Sequence, residues 1–143
     1  MNTQPYCKKI MVIDDNEIDR YIAQMNVEGE EFATEIILKE SAKSGLEYLL
    51  SLENNPEDLP EIIFLDIRMP DIDGFGFLDE YNKLPEVIRK KSIIMMLSSS
   101  LSPDDHERAN GNEYVNRFLT KPLDKKKLDE IKATGISMLK DAA

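Results

Sequence analysis

Apolar residues follow two rhythms along this chain. Short unbroken runs such as Ile62-Ile63-Phe64-Leu65 read as strands buried on both faces. Between them, apolar residues recur every three or four positions, the spacing of a helix with one covered face. Lys8-Lys9-Ile10-Met11-Val12-Ile13 is the first strand and ends in Asp14-Asp15. Ile18, Ile22 and Met25 recur at i, i+4 and i+7 and predict a helix over about Glu17 to Val27. Thr34 to Lys39 is a second strand. Ser41 suits the N-cap of a second helix whose apolar face is Ala42, Leu46, Leu49 and Leu50. Asn54-Asn55-Pro56 and Pro60 punctuate the loop into the third strand, which ends in Asp66.

Beyond Asp66, the loop Ile67-Arg68-Met69-Pro70-Asp71-Ile72-Asp73-Gly74 leads to a third helix marked by Phe75, Leu78 and Tyr81 and stopped before Pro85. Ser92 to Leu97 is a fourth buried strand, followed by Ser98-Ser99-Ser100. Ser102-Pro103-Asp104-Asp105 starts a fourth helix, with Ser at N-cap, Pro at N1 and an acid at N3, and the helix ends near Asn110-Gly111. A short fifth strand, Arg117 to Thr120, precedes Lys121-Pro122. The last helix runs from about Asp124 with Leu128, Ile131 and Leu139 inward and Gly135 as its weak point. Five strands alternating with five helices imply right-handed βαβ crossovers. The predicted fold is therefore α/β and flavodoxin-like, a doubly wound (βα)5 unit with a five-stranded parallel sheet in the order 2-1-3-4-5. No repeat, low-complexity tract or Gly/Ser linker divides it, so residues 1–143 read as one domain with a core over about 8–139.

Composition narrows the classes. A chain of 143 residues suits one domain that buries roughly two-thirds of its unfolded surface. The net charge of −10 would repel a phosphate backbone, and Lys125-Lys126-Lys127 is too short a basic run to reverse that, so no direct nucleic-acid binding is expected. No apolar run is long enough for membrane insertion, and Met1-Asn2-Thr3-Gln4-Pro5 lacks the apolar core of a signal peptide. The single cysteine, Cys7, excludes an internal disulfide framework and fits a cytoplasmic location, with packing or exposure as its expected state. The methionines read as core, and His106, the lone histidine, as an exposed residue of the fourth helix that carries no phosphate.

Chemistry concentrates at strand ends. Asp14 and Asp15 end strand one, Asp66 strand three, Ser98 strand four and Lys121 strand five, all on the carboxyl edge where open α/β sheets bind ligands. Singly, each has a bland reading: turn former, helix cap, structural hydroxyl, solvated lysine. Together, three carboxylates that converge repel unless a cation neutralises them, and an all-oxygen set suits Mg2+ or Mn2+. A lysine opposite the metal and a serine hydroxyl can each meet a phosphoryl oxygen. Asp66 is then the nucleophile, since carboxylates form acyl-phosphates in covalent catalysis.

Asp14-Asp15, Asp66 with Met69-Pro70-x-x-Asp73-Gly74, Ser98 and Lys121-Pro122 resemble the signature of response-regulator receiver domains, the CheY-like family, over about Lys8 to Leu139. The resemblance implies that Asp66 accepts a phosphoryl group from a sensor histidine kinase or a histidine phosphotransfer protein. It implies that Asp15 ligates Mg2+ directly with Asp66, that Asp14 acts largely through water, and that the Arg68 backbone carbonyl supplies a further oxygen. Lys121 would pair with Asp66 and then with the phosphoryl group, while Ser98 would swing inward to hydrogen-bond it. Phe118 stands at the aromatic switch position, three residues before the lysine, and cannot make the hydrogen bond of the tyrosine alternative. The Lys121-Pro122 bond is similar to one the family often keeps cis, a low-cost choice before proline. Phosphorylation would alter the surface made by the fourth helix, fifth strand and fifth helix and so its binding to a downstream protein. Asn112-Glu113-Tyr114-Val115-Asn116 departs from the Gly-Ala that receivers commonly carry there, and Arg68 occupies a position that influences dephosphorylation.

Too little chain follows Lys121 for a DNA-binding output domain, so the reading is a stand-alone receiver, monomer or weak dimer, that passes its signal by protein contact or relay. An aspartyl-nucleophile, Mg-dependent phosphatase of the haloacid-dehalogenase class is the enzyme alternative. Such enzymes carry a second acid two residues after the nucleophile, where this chain has Arg68. A phosphorylation-independent pseudo-receiver is the third reading, disfavoured by five chemically competent positions. No Gly-rich phosphate loop accompanies Asp71-x-x-Gly74, so a GTPase motif is not read there.

Overall fold

A computed structural model describes residues 5–99 and 102–135. Its strands β1 (Cys7–Ile13), β2 (Ala33–Lys39), β3 (Ile62–Asp66), β4 (Ile93–Ser98) and β5 (Val115–Thr120) pair in parallel in the order β2-β1-β3-β4-β5. The helices are α1 (Glu17–Gly29), α2 (Ala42–Ser51), α3 (Gly74–Tyr81), α4 (Glu86–Arg89), α5 (Pro103–Asn110) and α6 (Lys125–Thr134). The expected architecture and strand order are those observed.

Every residue of β3 and β4 is buried, which is why both read as unbroken apolar runs. Their side chains alternate between two cores. Met11, Ile63, Leu65, Ile94 and Met96 face one side with Leu49 of α2, Phe77 of α3 and Ala109 of α5. Ile10, Ile62, Phe64, Met95 and Leu97 face the other with Val27 of α1 and Leu128 and Ile131 of α6. The order of the sheet reverses between β1 and β3, so the crevice of a doubly wound fold opens where Asp14 and Asp66 emerge.

The two predicted N-caps, Ser41 and Ser102, hold, and Asp73 and Asp124 cap two further helices. Ser41 accepts from the Ser44 N–H at 3.1 Å and closes a capping box. Asp73 accepts from Gly76 N–H at 2.8 Å, Ser102 from Asp105 N–H at 3.4 Å and Asp124 from Lys127 N–H at 3.1 Å.

Four expectations are corrected. The apolar face of α1 is rotated: Ala23 and Val27, one turn apart, are buried, whereas Ile18 is 67% exposed and Met25 49%, with Tyr21 exposed beside them. Helical period was readable there but its phase was not, because small Ala23 faces the core. Leu50 of α2 is likewise exposed, and Gly45 faces the core instead. A Cβ on Gly45 would meet Ile13 Cδ1 at 2.6 Å, so the helix backbone itself presses on β1. A sixth helix, the single turn α4 after Pro85, buries Ile88 between α3 and β4. Finally, β5 starts at Val115, not Arg117, because a register shift opposite Ile94 and Met95 leaves Asn116 as an extra residue. Leu139 and Ser100 lie outside the described residues.

Candidate functional site

β1, β3 and β5 bring their C-terminal residues to one crevice. One carboxylate oxygen from each of Asp14, Asp15 and Asp66 lies within 4.8 Å of the others. The Lys121 ammonium stands 3.1 Å from Asp66, 2.8 Å from Asp14 and 2.8 Å from Asp19. Asp14 and Asp66 are buried and Asp15 is exposed.

The backbone around each group is fixed by named bonds. Asp14 N–H donates to the Lys39 carbonyl at 3.0 Å, and Asn16 N–H donates to the Asp14 carboxylate at 2.9 Å. Arg20 donates to the Asp14 carbonyl at 2.7 Å, tying the strand end to α1. Lys121 N–H donates to the Ser98 carbonyl at 2.9 Å, so the lysine is anchored to β4, and the Lys121-Pro122 bond that follows is cis. Gly74 permits the turn after β3. A Cβ there would sit 2.7 Å from the Asp66 carbonyl and 2.9 Å from Ile67 Cα, both backbone atoms that cannot yield. Asp71, in the left-handed region at φ 65°, completes that loop.

One ammonium cannot neutralise the carboxylates that surround it. Burial, then repulsion from Asp14, pushes the Asp66 carboxyl up to about 7, against the pull of Lys121. Burial alone would lower Lys121, but its hydrogen bonds to Asp14 and Asp19 outweigh that and hold its pKa above the ordinary lysine value. The site is short of positive charge, and its oxygen-only donors fit a hard divalent cation.

Ser98 ends β4 fully buried, one residue beyond the Leu97 that pairs with Asp66. Phe118 lies on β5 opposite Met96, half-buried, and its ring stacks on His106 of α5 at 4.9 Å and 14°. His106 is exposed, as expected from sequence, yet it covers the aromatic residue. The Arg68 side chain pairs with Asp105, a buried carboxylate in the first turn of α5. Arg108 of the same helix stacks over Phe75 at 3.9 Å. Cys7 is buried, and burial followed by the charge of Glu61 raises its thiol pKa far above the ordinary value, so it is a packing residue.

Sequence reasoning missed Asp19 and Asp105. Both sit three residues after a helix N-cap, Asn16 and Ser102, where an acid reads as a local capping or dipole residue. For Asp19 the available signal was that α1 starts immediately beyond Asp15. An acid on its first turn therefore overhangs the crevice.

Comparison with known proteins agrees with this frame. Residues 10–132 match the family model for the response regulator receiver domain. The chain is 32% identical over 127 residues to the probable methanogenesis regulatory protein FilR2 of Methanothrix harundinacea, covering 86% of this chain and 80% of that protein. It is similar in structure to a two-component response regulator from Cytophaga hutchinsonii, with TM-score 0.83, 27% identity, and 92% and 97% of the two chains covered. The same fold, at 22% identity and TM-score 0.71 over 88% of each chain, occurs in the receiver domain of the Arabidopsis thaliana histidine kinase CKI1 complexed with Mg2+ and BeF3−. Several other relatives are longer, and the chain spans 53% or less of them. The chain belongs to the response regulator receiver family, whose domains act as signalling switches. Among the described residues no helix is long and apolar enough to cross a membrane.

Proposed function

We propose that this chain is a phosphorylation-controlled response regulator receiver whose phosphoacceptor is Asp66. The observation that carries the reading is the Lys121 ammonium bridging Asp66 and Asp14 inside a three-carboxylate crevice. An Asp66 oxygen attacks the phosphorus of a phosphohistidine. The P–N bond breaks, its electron pair returns to the imidazole, and an acyl-phosphate forms. Asp14, Asp15 and Asp66, with the Arg68 backbone carbonyl, would hold Mg2+ or Mn2+, which when bound offsets the charge of the phosphoryl oxygens. Lys121 donates to one phosphoryl oxygen and Ser98, turning inward, to another. Phe118 follows into the space near Ser98, leaving His106, and the surface of α5, β5 and α6 changes for a downstream protein.

The phosphodonor is a sensor histidine kinase or a histidine phosphotransfer protein in the cytoplasm. Ile18, Tyr21 and Met25, exposed on the helix whose Asp19 reaches Lys121, support a protein donor by offering apolar contact beside the crevice. Incubation with Mg2+ and a small acyl-phosphate, read by intact mass, tests the chemistry. Wild type gains one phosphoryl group and Asp66→Asn none. A wild type that gains nothing, or equal gain by both, overturns the reading.

A further inference from the structure

Three carboxylates share the Lys121 ammonium, and one of them stands outside the cluster that a cation would occupy. Asp14 and Asp66 belong to that cluster; Asp19, on the first turn of α1, does not. An ammonium has three donors, and the oxygens at 2.8, 2.8 and 3.1 Å account for all of them. We propose that Asp19 is a positioning residue for Lys121, holding the ammonium toward α1 so that Asp14 and Asp66 remain available to the divalent cation. The assignment rests on the reading of Asp14, Asp15 and Asp66 as the Mg2+ site.

An ammonium and a dication compete for the same oxygens. The Lys121 side chain is only 12% exposed, and a buried charge without partners is costly. With Asp19 neutral, the ammonium draws its compensation from Asp14 and Asp66 alone and opposes the incoming cation. Asp19, 35% exposed, is the partner that water can help to satisfy, so it keeps its hold while the cation and phosphoryl group come and go.

The local structure is built for this reach. Asn16 caps α1 by accepting from Asp19 N–H at 2.9 Å, which fixes the Asp19 backbone at the third helical position. An acid there ordinarily turns back to the N-cap residue. Here its carboxylate crosses to a lysine 102 positions away in sequence. A helix-dipole acid would have no such requirement.

A double-mutant cycle on Mg2+ affinity, measured by titration calorimetry on the full chain, separates the roles. Asp19→Asn weakens Mg2+ binding about fivefold or more, the size of coupling found between neighbours in one charge network. In the Lys121→Met background the same substitution changes affinity less than twofold, since no ammonium remains to be misplaced. The Lys121 ammonium 15N resonance also moves on Asp19→Asn in metal-free protein. Asp19→Ser carries the same expectations and stands in should Asp19→Asn not fold. Unchanged Mg2+ affinity in Asp19→Asn overturns the assignment, and so does an equal loss in both backgrounds. A wild type that takes up no Mg2+ overturns the metal-site reading beneath it, a different outcome from wild-type binding with an indifferent Asp19.

Discussion

Asp66→Asn tests whether the crevice is strained by its own charge. In the folded protein the Asp66 carboxyl is pushed from 3.8 up to about 7, first by burial and then by Asp14. At 1.36 kcal/mol for each tenfold change in proton affinity, that rise sets an upper bound of about 4 kcal/mol on the destabilisation by the ionised group. Movement of Lys121 toward Asp66 and entry of water relax this, so about 2 kcal/mol is expected from the neutral isostere. The folded pKa is the higher one, so the stabilising effect of the protonated group is complete below pH 3.8 and is lost as pH rises through 7. Metal-free Asp66→Asn is therefore more stable than wild type at pH 8, by roughly 4–8 °C in Tm. The gap narrows steadily from pH 7 to pH 5, where wild type carries the proton. Urea or thermal denaturation in chelator at these pH values measures it. Mg2+ at 100 times its dissociation constant stabilises wild type by about 2.7 kcal/mol and closes the gap. A gap independent of pH, or a wild type more stable than Asp66→Asn at pH 8 without metal, refutes the reasoning.

Three further substitutions probe the frame around that site. Gly74→Ala forces a Cβ against the Asp66 carbonyl and Ile67 Cα, and is expected to cost about 1–3 kcal/mol in urea denaturation and to slow phosphorylation. Arg68→Met strands the buried Asp105 carboxylate at a cost of about 1–2 kcal/mol, less than for a fully buried pair because Arg68 is 60% exposed. Adding Asp105→Asn recovers part of that loss in the double variant. His106→Ala removes the stack on Phe118, lowers stability by about 0.5–1 kcal/mol and, by freeing the ring, tightens beryllofluoride binding in calorimetry.

Sequence legibility followed the range of the forces involved. β3 and β4 were readable because burial on both faces leaves a continuous apolar run, and Ser41 and Ser102 because a cap acts within three residues. The convergence of Asp14, Asp15, Asp66 and Lys121 followed from the topology, since all four end parallel strands at one edge. The face of α1 was not readable, because Ile18, Ile22 and Met25 satisfy the helical period as well as Ala23 and Val27 do. The partners of Asp19 and Asp105 were hidden for a related reason. Each acid has a sufficient local explanation, and its actual partner lies 102 or 37 residues away.

α5 buries little apolar surface, which suits it to be the part that moves in the proposed switch. Its buried residues are only Asp105 and Ala109, whereas α3 buries Phe75, Phe77, Leu78 and Tyr81. Three side chains compensate, each tied to a different part of the crevice's surroundings. Asp105 holds Arg68 from the loop after Asp66, His106 covers Phe118 of β5, and Arg108 stacks on Phe75 at the start of α3. An aromatic stack and a cation–π contact contribute about 0.5–1.5 kcal/mol each. With a half-exposed ion pair, the sum is a few kcal/mol. Moving a two-state equilibrium from 1:99 to 99:1 takes about 5.5 kcal/mol, so the three contacts together are of the order a single phosphorylation can overcome. In the proposed switch a phosphoryl group would add about 1.5 to 2 negative charges two residues from Arg68 and draw the guanidinium from Asp105, while Ser98 would make room for Phe118 to leave His106. Two of the three ties would then break from the same cause, leaving Arg108 on Phe75 and the buried Ala109 to hold the helix.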